Sequence, residues 1–268
     1  MRKVGLMLLL TAFLILGFAI GAPGVPQSGN ALVPPSVANW MGTDVLGRDL
    51  FGRLALAAAR SVAVSVAAWS VAVLIGAAIG TATGMSPRSI LSKLTGRIMA
   101  LIYSTPFMLV LVAIVAVLGP GMLNAYLALL MFAWAAPARH ADEMVRRLRE
   151  ATHVRASFAL GFRPSQIVRV VLLPAVLPTV AVAALPALPD LLVLDVLLSF
   201  VGLGAQPPIP TLGGMLLDGL SYGAVAWWLV AFPLTVLVCI CLSVRALHFD
   251  TSRASSVNRY RHAARTAF

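Results

Sequence analysis

Long, nearly unbroken runs of Leu, Val and Ala, set apart by short polar segments, dominate this chain. A helix crosses the hydrocarbon core of a bilayer with about 20 apolar residues, and several of these runs reach that length. Backbone groups inside a bilayer must bond to one another, so the runs are expected as helices. An outer-membrane barrel would show short alternating strands instead. Only 11% of the 268 residues are charged and the mean hydropathy is +0.95. A soluble domain carries about 25% charged residues. The expected fold class is therefore all-α, a polytopic membrane protein with six transmembrane helices.

The first span is expected over Val4–Ile20 behind Arg2 and Lys3. It resembles a signal peptide, with Ala22 or Gly24 near a cleavage position, but an uncleaved span balances the later charges better. Further spans are expected near Ser61–Thr83, Ile98–Leu118, Met122–Ala138, Leu172–Val201 and Trp227–Leu247. The fifth holds Pro174, Pro178, Pro186 and Pro189. Proline removes a backbone donor and kinks a span, which a bundle tolerates where neighbours satisfy the freed carbonyls. Three parts follow: residues 1–60 as first helix and extracytoplasmic segment, 61–250 as the five-helix domain, and 251–268 as a basic tail. The domain holds a basic loop at 139–171.

Six crossings place both termini on one side. With that side as cytoplasm, 17 of the 20 Lys and Arg lie inside, and Arg48, Arg53 and Arg60 lie outside. Basic residues in short loops resist translocation, so this asymmetry sets the orientation. The same distribution accounts for the net charge of +11 without nucleic acid. Trp227 and Trp228 are expected at the outer interface, where indoles prefer to sit.

No P-loop is present: the two lysines, Lys3 and Lys93, do not follow glycine as Gly-Lys-Ser/Thr requires. Gly219-Leu220-Ser221-Tyr222-Gly223 matches the nucleophile pattern G-x-S-x-G, with Asp250 and His262 downstream. That motif needs a strand-turn-helix, and the expected topology puts a bilayer between Ser221 and the other two. Cys239 and Cys241 sit two apart on one span and do not pair. The four histidines lack ligand spacing, so neither a metal nor a catalytic residue is assigned.

Asp190 and Asp195 fall within the fifth span. A charge at mid-bilayer costs about 3 kcal/mol, so each is a functional candidate. Five residues rotate a helix by about 140°, so the two do not face one another. Each either meets a polar partner or lines an aqueous path, the latter being favoured for Asp195 over Asp190. Asp44, Arg48, Asp49 and Arg53 read equally well as a solvated amphipathic segment.

Ala151 to Pro174 is the long polar interruption of the second half. Ala151, Val154 and Phe158 give a short helix one apolar face. Gly161 suits its stop, Phe162-Arg163-Pro164-Ser165 is a turn, and Gln166–Leu173 leads to Pro174. This is either an ordinary loop or a knob for a soluble partner.

At these residues the chain resembles the permease subunits of bacterial ABC importers. Their loop reads E-A-A, three residues, G, nine residues, I-x-L-P. Here Arg155-Ala156-Ser157 precedes Gly161, and Val171-Leu172-Leu173-Pro174 follows nine residues later. Arg155 replaces Glu, and Val171 replaces Ile. GTDVLGRD (Gly42, Thr43, Asp44, Gly47, Arg48, Asp49) is similar to a segment of the dipeptide/oligopeptide/nickel permeases. The stretch from Asp195 to Gly219 resembles a second, with Leu212 for the usual Trp. The C-type subunit is the one resembled.

The resemblance implies a type I permease fold and a non-catalytic subunit in a bacterial inner membrane. A homologous B-type permease, two ABC ATPases and an extracytoplasmic binding protein would be its partners. ATP and Mg would sit on the ATPases, with no cofactor on this chain. Arg155, Ala156, Ser157, Phe158, Gly161, Leu173 and Pro174 would form the ATPase-coupling loop, and Asp195 and Asp190 the path. The cargo would be di- or oligopeptides, alternatively nickel or a metal chelate. An autonomous channel or secondary carrier is the reading from another class.

Overall fold

A computed structural model describes residues 31–266, and their side chains as far as 248 apart from residue 153. The first expected span lies outside the described residues. All regular elements described are helical. They are α1 (Leu50–Met85), α2 (Ile90–Ser104), α3 (Phe107–Leu118), α4 (Met122–Ala133), α5 (Ala135–Leu148), α6 (Thr152–Ala159), α7 (Pro164–Ala184), α8 (Ala187–Phe200), α9 (Leu212–Tyr222) and α10 (Trp228–Thr266). Among the described residues three helices, α1, α7 and the first part of α10, are long and apolar enough to cross a membrane. The bent pair α2 and α3 makes up to four.

The central element is α1. Its 36 residues, at about 1.5 Å each, make a rod longer than the about 30 Å of a hydrocarbon core. It starts eleven residues before the expected span because the Asp49 side chain accepts from the Gly52 N–H at 2.9 Å and caps it. The boundary placed at residue 60 thus falls inside a helix. Its buried face is lined with small residues, among them Ala58, Ser61, Ser65, Ala68 and Ala72. These continue into Gly76, Gly80 and Gly84, where α5 crosses at backbone distance. A Cβ on Gly80 would lie 2.2 Å from the Ala138 carbonyl oxygen. Small residues every fourth position let helices approach this closely.

The expected third span is not one straight helix. It breaks into α2 and α3 with a 98° bend. Pro106 has no N–H to continue the ladder, and Thr105 before it is extended (φ −93°, ψ 144°). The fourth span runs on from α4 through Trp134, which keeps helical dihedrals (φ −70°, ψ −22°), into α5. The polar segment beginning at Arg139 is therefore helical as far as Leu148. The fifth span breaks at Leu185-Pro186 into α7 and α8. A π-helical turn, Val168–Leu172, interrupts α7 just before Pro174, which cannot donate to the regular ladder. The last helix runs from Trp228 to Thr266 with no break at residue 250.

Three apolar clusters follow one another along α1. At its start Leu50, Leu54 and Ala58 pack with Leu192, Leu212, Trp228 and Ile240. Midway Ala68 meets Leu111, Val115, Leu129 and Leu198. Near its end Val145, Val154, Ile167, Leu172 and Val176 form the third. Trp227 is 59% exposed, as an interfacial indole would be. Trp228 is buried, and its Nε1–H donates to the Thr43 carbonyl at 3.2 Å.

Candidate functional site

The hairpin between α5 and α7 is built from its caps inward. The α6 helix closes with a Schellman arrangement: the Phe162 N–H donates to Ser157 O at 3.2 Å and the Gly161 N–H to Phe158 O at 3.0 Å. Gly161 holds φ +81°, which only glycine adopts without strain. The next helix begins at once, with Pro164 in its first turn and the Arg163 N–H donating to Gln166 Oε1 at 2.9 Å.

The expected apolar face of α6 divides in two. Val154 is fully buried among Ala141, Val145, Ile167 and Val176, and so pins the hairpin to α5 and α7. Phe158, one turn further along the same face, extends past that core and is 39% exposed, beside Leu160 and Phe162, which are also exposed. Arg155 and Ala156 are exposed, Ser157 and Leu173 are half-buried and Pro174 is exposed. A rigidly held turn thus presents large apolar side chains outward, a signature of a contact surface.

At the far end of α1 the GTDVLGRD segment is a compact knot. Asp44 is 3% exposed. Its Oδ1 accepts from the N–H groups of Leu46 at 2.8 Å and Arg48 at 2.9 Å. Its Oδ2 accepts from Arg48 Nε at 2.7 Å and from Arg53. Thr43 Oγ1 accepts from the Val33 N–H at 2.8 Å. Gly42, at φ +79°, sits against the Val33 carbonyl and the Trp228 indole. The solvated reading of this segment is therefore wrong, because Asp44 collects more donors than a solvent-facing carboxylate would. The knot and the second motif segment share a cavity of about 380 Å³. Arg48 and Arg53 face Gln206, Thr211 and Asp218 across it, and the Asp218 carboxylate acts on both arginines.

The two acids of the fifth span have different surroundings. Asp195 is 4% exposed and accepts from the Ser61 hydroxyl at 2.8 Å. The Arg60 guanidinium acts on it electrostatically. All three Arg60 guanidinium nitrogens, Ser65 Oγ and Ser199 Oγ are buried without a hydrogen-bond partner among the described residues. Asp190 is exposed and pairs loosely with Arg245 at 3.7 Å. It is the one charged residue lining a cavity of about 500 Å³ walled by Trp69, Tyr103, Phe107, Phe132 and Leu194. Asp190 thus lines an open space, and Asp195 is held by Ser61 between α1 and α8. Arg60, counted from the sequence as an outside charge, lies within α1 next to Ser61.

Ser221 lies in α9, its hydroxyl donating to Leu217 O at 3.4 Å, so the strand-turn-helix of a hydrolase is not there.

Residues 72–250 match the family described as "Binding-protein-dependent transport system inner membrane component". The probable D,D-dipeptide transport system permease protein DdpC of Escherichia coli (strain K12) is 32% identical over 75% of this chain and 67% of its own length. The dipeptide transport system permease protein DppC of Bacillus subtilis (strain 168) is 33% identical over 75% of this chain and 63% of its own. The chain thus spans about two thirds of the length of these relatives. One chain of an inward-facing MetNI methionine ABC transporter aligns with a TM-score of 0.50 and 27% identity, covering 74% of this chain and 95% of that one. The chain belongs to the inner-membrane components of binding-protein-dependent transport systems, the non-catalytic permease subunits of ABC transporters.

Proposed function

We propose that the chain is the C-type permease of an ATP-driven importer of short peptides. It works beside a homologous B-type permease, two ATPase subunits and an extracytoplasmic binding protein. Both termini face the cytoplasm, as the 17 basic residues on one side require. The observation that carries this reading is the α6 hairpin, pinned inside by Val154 and bare outside at Phe158, Leu160 and Phe162. A motor subunit receiving Phe158 in an apolar groove moves α5 and α7 together, because Val154 packs α6 against both.

The path reading moves to Asp190. Its cavity is apolar with a single carboxylate, which suits the ammonium end of a short peptide. Asp195 reaches the path only when α1 and α8 part. The buried donors and acceptors around it exceed their partners, which suits a layer that rearranges during the cycle.

Affinity purification of the full chain from its native membrane tests the assignment. A second permease and ATPase subunits are expected in the same complex. Uptake by the chain alone in proteoliposomes, with no nucleotide, would overturn the reading in favour of an autonomous carrier.

A further inference from the structure

A third cavity lies at the opposite end of α1 from the knot and belongs to none of the sites above. It measures about 620 Å³ and opens where Met85 ends the helix. Arg88, Arg146 and Arg149 line it, with Glu150 the one acid. The α2 helix begins at its edge, where the Ser89 hydroxyl accepts from the Ser92 N–H at 3.2 Å. Its dipole adds positive potential there.

The three arginines are not equally engaged. Arg146 is paired with Asp142 at 2.7 Å. Arg149 donates to the Met85 carbonyl at 3.4 Å. Arg88 is exposed and has no ion pair or hydrogen bond among the described residues. The mouth therefore has positive charge to spare.

What adjoins it is apolar. Ile90 is 84% exposed, and Leu91, Leu94 and Leu101 are each at least half exposed along the same helix. An anion in the mouth would thus sit beside a bare aliphatic surface in the membrane. A phosphate ester with acyl chains has this combination, whereas a free phosphate has no use for the aliphatic surface.

We propose that this mouth binds the phosphate headgroup of an anionic phospholipid of the inner leaflet, with its chains against α2. The proposal rests on the cytoplasmic placement of residues 86–89 given above, but not on the cargo or on the coupling role of Phe158. Arg88 makes the primary contact, Arg149 the second. The lipid would wedge between α2 and the α1–α5 pair and so fix the elbow before Pro106.

The test uses the intact complex in nanodiscs of phosphatidylcholine with and without phosphatidylglycerol, read by native mass spectrometry and thermal unfolding. Retained phosphatidylglycerol and a raised melting temperature are expected. In Arg88→Gln retention should fall about fivefold, the worth of one basic residue at an anionic surface. Arg88→Lys should keep most of it. ATPase activity of the complex in phosphatidylcholine alone should not change in either variant, which separates this result from failure of the coupling assignment. Equal retention in wild type and Arg88→Gln would overturn the proposal. So would equal protection by inorganic phosphate at matched ionic strength, which would mark a soluble-anion site. Loss of ATPase subunits from Arg88→Gln would assign the surface to them instead and overturn it too.

Discussion

The Ser61 hydroxyl donates to the Asp195 carboxylate at 2.8 Å, joining α1 to α8 across 134 residues of sequence. Arg60, the next residue on α1, adds a positive charge to the same layer. Asp195→Asn keeps an acceptor for Ser61 but leaves the buried guanidinium without its counter-charge. The two groups are not in ion-pair contact, so the cost is smaller than that of breaking a direct buried pair. We expect a lower melting temperature for the purified complex and reduced uptake. Arg60→Gln combined with Asp195→Asn should recover part of the lost stability, because no lone charge remains. A double variant no more stable than the sum of the singles would show that the two groups are not coupled.

Gly80→Ala places a methyl group 2.2 Å from the Ala138 carbonyl oxygen, a backbone atom that cannot rotate away. The helices must separate, at a cost of at least about 2 kcal/mol. Gly96→Ala in α2 meets nothing within 4 Å. It should be neutral or stabilising by up to about 1 kcal/mol, because alanine favours helix. Thermal unfolding of the two variants should move in opposite directions. Similar shifts would mean that helix propensity, not the α1–α5 approach, sets the outcome.

How much of this was legible in the chain differs from element to element. Hydropathy located α1, α7 and the first part of α10 because a bilayer demands long apolar helices whatever their partners. It missed the bend before Pro106 because composition is blind to direction, although the proline itself was visible. The start of α1 at Leu50 was hidden because a cap at Asp49 extends a helix into polar sequence. Gly76, Gly80 and Gly84 stand four apart in plain sight, but their spacing does not say which helix they receive. The motif match GTDVLGRD marked Asp44, yet not that it would gather four donors. Asp190 and Asp195 were both flagged by membrane cost, while their order depended on neighbours that only folding supplies.

Asp44→Asn tests the knot. The substitution removes the charge that holds Arg48 and Arg53, whose side chains are 18% and 14% exposed. The loss should be about 3–5 kcal/mol, the usual cost of breaking such a buried pair from one side. Limited proteolysis between residues 42 and 54 should become faster in intact membranes. An unchanged cleavage rate would show that the Trp228–Thr43 contact and the Asp49 cap hold the segment without Asp44.

Phe158→Asp alters a side chain outside the buried cluster through which Val154 packs α6. The variant should reach the membrane with unchanged thermal stability. A carboxylate in an apolar groove costs several kcal/mol, on the order of the loss when a central interface anchor is removed. Nucleotide hydrolysis by the complex should then no longer rise with substrate-loaded binding protein, and uptake should fall at least tenfold. Uptake at the wild-type rate would show that the motor does not seat on Phe158.

Asp190→Asn separates path from scaffold. Its pair with Arg245 is long, at 3.7 Å, and both side chains are more than 60% exposed. Such pairs contribute no more than about 1 kcal/mol, so the melting temperature should barely move. Uptake of a free-amino peptide should fall, because the cavity among Trp69, Tyr103 and Phe132 loses its only charge. The same peptide with an acetylated amino end has no ammonium to lose a partner, so its uptake, once corrected for binding-protein affinity, should be indifferent to the substitution. Equal loss for both peptides would show that Asp190 acts through helix placement rather than through the cargo.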